Sequence, residues 1–95
     1  MKIKIGYAGL SHLGINYAVA SAIKGFDVVG FDNNSMLISS LKKKKLPFYE
    51  KNLEQNLKKK FNKIKFTNNI KNLSECDLIF ISQDTPTNSL NQSDL

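Results

Sequence analysis

Gly9-Leu10-Ser11-His12-Leu13-Gly14 follows MKIKIGYA and precedes INYAVASAIKGFDVVGFD. These six residues, 9–14, decide the fold. Before them, Ile3, Ile5 and Tyr7 alternate with polar or small neighbours, which is the period of a strand. After them, Ile15, Ala18, Val19, Ala22 and Ile23 recur at i, i+3, i+4, i+7 and i+8, one apolar face of a helix. The loop therefore stands where a strand ends and a helix begins. A helix N-terminus offers unpaired N–H groups and a partial positive charge, both suited to a pyrophosphate. In the G-x-G-x-x-G loop, the first glycine turns the chain and the middle one lets phosphates approach the backbone. The third lets helix and strand pack closely. Gly9 and Gly14 fill the first and third positions, and Ser11 takes the middle one. Ser11 either donates to a phosphate, caps the helix or crowds the site. His12, the single histidine, falls in the first helical turn. There it can donate to a phosphate or stack along a cofactor. No acid or nucleophile beside it gives it a catalytic role.

Outward from the loop, strands and helices continue to alternate. Lys2 to Ala8 is the first strand. The first helix carries small alanines that let it lie close to a sheet, and Lys24-Gly25 ends it. Phe26 to Phe31 is the second strand, closed by Asp32. Asn33, Asn34 and Ser35 are turn and cap residues. A second helix is expected over Met36 to Lys43, with Leu37, Ile38 and Leu41 inward. LPFYE (46–50) is a proline-broken link. Leu53, Leu57 and Phe61 are spaced by four and place a third helix over Glu50 to Lys60. KIKFT (63–67) reads as the third strand and Ile70 to Ser74 as a helical turn. DLIFIS (77–82) is a continuous apolar run, expected to be a strand buried on both faces. The tail QDTPTNSLNQSDL is polar and turn-rich. This rhythm predicts an α/β Rossmann-like three-layer fold, a parallel sheet of about four strands in the order 3-2-1-4. Residues 1–95 form one domain, with no repeat or linker.

Asp32 lies eighteen residues beyond Gly14. At the end of a second strand, a carboxylate accepts hydrogen bonds from the adenosine ribose and repels a 2′-phosphate, favouring NAD over NADP. The other reading is a turn-forming or capping aspartate beside Asn33 and Asn34.

Composition sets the outer bounds. At 41% hydrophobic, the chain can build a modest core. The apolar run from Ile15 to Ile23 is too short to span a membrane, and nothing resembles a signal peptide, so a cytoplasmic protein is expected. The net charge is +6, and every one of the 14 basic residues is lysine. Base-specific DNA reading leans on arginine forks, so the clusters KKKK (42–45) and KKKFNKIK (58–65) read first as solvated faces and only second as a polyanion surface. Nucleic acid and membrane are not expected partners. Cys76, the lone cysteine, reads as a buried or half-buried thiol.

Four segments, in order, resemble the N-terminal domain of the UDP-glucose/GDP-mannose dehydrogenases. KIGYAGLSHLGINYAVASAIKGFDVVGFD is similar to that family's opening strand, glycine loop, helix and acidic strand end. LPFYE with NLEQNLKKK resembles its proline-glutamate segment and following helix, and KIKFTNNI resembles a later strand. CDLIFISQDTPT resembles the strand that ends in T-P-T. The resemblance covers residues 1 to about 87. It departs from the family at Ser11 for glycine, His12 for tyrosine, Leu37 where many members carry a cation, and Lys51-Asn52 for Pro-Gly. Family members oxidise the C6 alcohol of a nucleotide sugar to a carboxylate with two NAD molecules. The resemblance implies NAD contacts at Gly9, Leu10, Ser11, His12, Leu13, Gly14, Asp32 and Thr85. The other reading of Thr85 is an ordinary strand-exit turn. The resemblance implies no catalytic residue and no metal ligand: Cys76 does not match the family's catalytic cysteine, which lies beyond the matching stretch. The nucleotide-sugar substrate, and a dimer, depend on segments further along. The fold is thus expected to be incomplete relative to the full domain, and the chain alone to bind NAD at most. The alternative is a non-catalytic interaction module that pairs through an exposed first or third strand.

Overall fold

A computed structural model describes residues 3–81. The alternating residues before the loop form β1 (Lys4–Ala8), and the periodic residues after it form α1 (His12–Ile23). β2 (Asp27–Phe31), α2 (Ser35–Lys42), α3 (Lys51–Lys59), β3 (Ile64–Thr67) and β4 (Leu78–Ile81) follow, with 3-10 turns at Phe61–Lys63 and Ile70–Glu75. The four strands are parallel and lie in the order β3-β2-β1-β4, as the crossover rules require.

Alternation along the strands sends side chains to two cores. On one face, Ile5, Tyr7, Val28, Ile64 and Phe66 join Ile15, Ala18, Val19 and Ala22 of α1, Ile38 and Leu41 of α2, and Leu53 and Leu57 of α3. Each fully buried leucine, isoleucine or valine contributes about 1.5–3 kcal/mol. On the other face, Val29 and Phe31 meet Leu73, with Ala8 and Cys76 beside them. Glycine at residue 6 lets this second layer seat without displacing its side chains. A Cβ there would come 2.9 Å from both Cys76 Sγ and Leu73 Cδ2.

α1 ends as its sequence requires. Lys24 caps it, and Gly25 turns the chain at φ 102°. Ile23, expected on the apolar face, is 46% exposed instead. Eight residues after Ile15 it is rotated about 80° round the helix, off the stripe that Ala22 continues.

Two further expectations are corrected. β4 is not buried on both faces: Leu78, Ile79, Phe80 and Ile81 are between 48% and 80% exposed. Among the described residues it is an edge strand, bonded to β1, and the helices cover β1 to β3 instead. Phe80 stacks on Tyr7, with ring centroids 5.6 Å apart. An apolar run encodes the capacity to be covered; what covers it is a property of the rest of the assembly. Nor does β1 offer a free edge. It pairs with β2 on one side and β4 on the other, which among the described residues leaves β3 and β4 at the edges.

Candidate functional site

The loop leaves β1 at Gly9, whose φ of 106° is strained for any residue with a Cβ. Its N–H donates to Phe31 O at 2.8 Å, carrying the β1–β2 pairing one step past the strands. Leu10 then turns its side chain into the core at 2% exposure, and its N–H donates to Asp32 Oδ2 at 2.8 Å. The other carboxylate oxygen, Oδ1, accepts from Asn34 N–H at 2.9 Å. The turn role of Asp32 is therefore real, but it does not exhaust the group. An ionised carboxylate has about four acceptor positions, and two are filled.

Ser11 is the N-cap of α1. Its Oγ accepts from Gly14 N–H at 3.3 Å, and its carbonyl accepts from Ile15 N–H at 2.9 Å. Among the described residues the hydroxyl's own proton has no acceptor. The N–H groups of His12 and Leu13 have no partner among the described residues, as expected for the first positions of a helix. Two free amides, the positive end of a twelve-residue helix and a hydroxyl thus converge on one spot. Gly14 is buried in the first turn of α1.

An open cleft of about 390 Å³ adjoins this spot. Leu10, Ser11 and His12 form one wall, Asn34, Met36, Leu37 and Ser40 another, and Pro47 closes a side. The size and the mix of apolar and polar lining suit a nucleoside. None of these lining residues is a lysine or arginine, so a 2′-phosphate would find Asp32 nearby and no fixed positive side chain in the lining.

His12 has partners that the sequence did not announce. Its Nε2 lies 3.0 Å from Glu50 Oε1, and its ring stacks on Phe48 with centroids 4.0 Å apart. Residues 46–50, read from sequence as a link, form a strap beside the loop. Pro47 in front of a helix-starting glutamate was the available signal, but nothing local ties Glu50 to a residue 38 positions earlier. Cys76 is separate from the site. It lies in the second core across the sheet, half-buried, and burial raises its thiol above the ordinary range. Thr85 lies outside the described residues.

Among the described residues, no helix is long and apolar enough to cross a membrane. The model of the NAD-binding domain of the UDP-glucose/GDP-mannose dehydrogenase family matches residues 3–95. The chain belongs to this family. It is an NAD-binding domain of the nucleotide-sugar dehydrogenases, and NAD is the cofactor of that domain. The chain is 34% identical to the UDP-glucose 6-dehydrogenase of Rickettsia typhi, over 98% of this chain and 22% of that protein. It superposes on the UDP-D-ManNAc dehydrogenase of Pyrococcus horikoshii with a TM-score of 0.84 at 28% identity, covering 88% of this chain and 21% of that one. A ternary complex of GDP-mannose dehydrogenase from Pseudomonas aeruginosa gives a TM-score of 0.80 at 28% identity, covering 86% and 20%. The chain spans between 10% and 22% of the length of the curated relatives it matches.

The geometry of this family domain fits NAD. Gly9 turns without a side chain, α1 aims free amides at the cleft, and Asp32 keeps acceptor capacity at the rim.

Proposed function

We propose that the chain holds NAD across the carboxyl ends of the strands, over the switch point between β1 and β4, with the adenosine half toward β2. The amides of His12 and Leu13 and the hydroxyl of Ser11 donate to the pyrophosphate. Gly9 and Leu10 shape the approach, Gly14 lets α1 pack close, and Asp32 accepts from the adenosine ribose hydroxyls. Thr85, downstream of β4 in the sequence, completes the set. The carrying observation is the position of Asp32: its carboxylate is fixed at the rim of the loop by the Leu10 and Asn34 amides, with acceptor capacity left over.

The oxidation of a nucleotide sugar's C6 alcohol belongs to a complete dehydrogenase containing such a domain, in the cytoplasm. No residue of this chain is assigned to the chemical step. The test is a calorimetric titration of the chain with NAD, and with NADP as the control. Saturable binding that prefers NAD supports the assignment. Equal affinity for the two removes Asp32 from the ribose. No binding at millimolar NAD sinks the assignment for this chain.

The exposed apolar side chains of β4 favour a second reading, in which the domain also pairs with a further polypeptide, including a second copy of itself as a homodimer. Sedimentation analysis over a range of concentrations tests it.

A further inference from the structure

Glu50 is the N-cap residue of α3, yet its side chain makes no capping bond to that helix. It reaches instead to His12 in the first turn of α1. A carboxylate at a helix N-terminus normally serves the free amides beside it. Here that local use gives way to a contact 38 residues distant, reinforced by the Phe48 ring stacked on the imidazole. The strap thus grips the imidazole that stands in the first turn of α1, beside its free amides.

The chemistry of this grip is constrained. An ionised carboxylate only accepts, so the bond to Glu50 places a proton on His12 Nε2. In the neutral ring Nδ1 is then a bare acceptor, and it has no partner among the described residues. A pyrophosphate oxygen is also only an acceptor. His12 can serve it only as an imidazolium, donating from both nitrogens. The charged groups around the ring agree with that role. Glu50 faces it from α3, and α1 has no acidic residue in its first turn. The α2 wall contributes Asn34, Met36, Leu37 and Ser40, none of which titrates. Asp32 at the end of β2 is held by Leu10 and Asn34, and Lys45 and Glu54 lie beyond Phe48 in a separate hollow.

We propose that Glu50 and Phe48 position His12 as a proton-linked clamp on the cofactor's pyrophosphate. As the anion binds, the ring takes one proton from solvent, donates from Nδ1 to a phosphate oxygen, and keeps its Nε2 bond to Glu50. Glu50 and Phe48 are positioning residues that act through His12. The proposal rests on the NAD reading above.

The test titrates NAD into the chain near neutral pH, in non-phosphate buffers of low and high ionisation enthalpy. The clamp requires net proton uptake on binding and tighter binding as pH falls. NMR follows the same event directly, because the chain has one histidine and its ring signals need no further assignment. They move toward the imidazolium position as NAD is added, and do not move with adenosine, which has no phosphate. Glu50→Gln is expected to weaken NAD about two- to fivefold, as for a partly exposed ion pair, and to reduce the proton uptake. His12→Gln abolishes the uptake, and Phe48→Leu weakens binding while retaining it. Circular dichroism checks that each variant is folded. Uptake that persists in folded His12→Gln, or NAD binding by the unaltered chain with no uptake, overturns the clamp and leaves the NAD reading standing. Failure of the unaltered chain to bind NAD at any pH overturns both.

Discussion

The Leu10 N–H donates to Asp32 Oδ2 at 2.8 Å, joining the loop that opens α1 to the residue that closes β2 across 22 positions of sequence. One carboxylate therefore fixes the loop and, in the proposed reading, also presents acceptors to the ribose. Substitutions at Asp32 separate the two roles. Asp32→Ala removes both backbone bonds and is expected to cost about 2 kcal/mol of stability, because hydrogen bonds to a charged group contribute more than neutral ones. Asp32→Asn keeps one acceptor for a backbone amide, so it destabilises less, but its amide NH₂ no longer repels a 2′-phosphate. The measurements are thermal unfolding and paired NAD and NADP titrations. If Asp32→Asn retains the full preference for NAD, discrimination resides elsewhere.

Ser11 occupies a glycine's place in the loop and turns its oxygen to Gly14 N–H at 3.3 Å. Ser11→Ala loses that cap and is expected to lower stability by about 1 kcal/mol, whereas Ser11→Gly costs only a few tenths. Both lose the hydroxyl proton offered to the pyrophosphate and should weaken NAD about three- to tenfold, the worth of one good hydrogen bond. Stronger binding by Ser11→Gly would mean that the serine crowds the phosphates. Chemical denaturation and calorimetry on the two variants decide between these.

Gly9 turns the chain at φ 106°. Gly9→Ala forces a Cβ into the left-handed region, at a cost of about 1–2 kcal/mol, and moves the loop that carries Leu10. Loss of NAD binding with a lowered unfolding midpoint is the expected pair of results. An unchanged midpoint would show that the loop adjusts without strain.

How much of this was legible depended on sequence separation. The change of period at residues 9–14 located β1, the loop and α1, because alternation and helical spacing are written in neighbouring residues. Gly25 and Asn34 marked helix ends for the same reason. Asp32 was found by its place at a strand end, but its bond to Leu10 was not, since nothing near either residue encodes the other. The His12–Glu50 pair was invisible for the same cause. β4 was recognised as a strand and misjudged in burial. Leu78 to Ile81 specify how the backbone extends and how apolar its surface is, whereas exposure depends on what packs against them.

That exposure has a physical consequence. An uncovered apolar edge strand is a template for pairing with another chain. The protein should associate as its concentration rises, and Ile81→Lys should suppress this, since Ile81 is 80% exposed and its replacement disturbs no core contact. Sedimentation velocity on both proteins, with matched circular dichroism, makes the comparison. Equal association by the two would locate the contact away from β4.

Cys76 supplies a prediction about pH. Burial is the main cause that raises its thiol above the ordinary cysteine value; Lys4 opposes the shift, and Glu75 and Asp77 add to it. The folded protein therefore holds the thiol proton at a pH where the unfolded chain has released it. The resulting stability is fully present below about pH 9 and is lost as pH rises through the higher folded value. Other groups also titrate there, so the quantity to measure is the difference between the unaltered protein and Cys76→Ala. That difference should shrink on the alkaline side and stay flat from neutral pH downward. The same shelter slows chemistry at sulfur, because the thiolate is the nucleophile. Alkylation of the folded chain at pH 8 is expected to lag behind free cysteine, and denaturant should restore the rate. A folded chain that reacts as fast as free cysteine would mean that the contact with Gly6 and Leu73 does not protect the thiol.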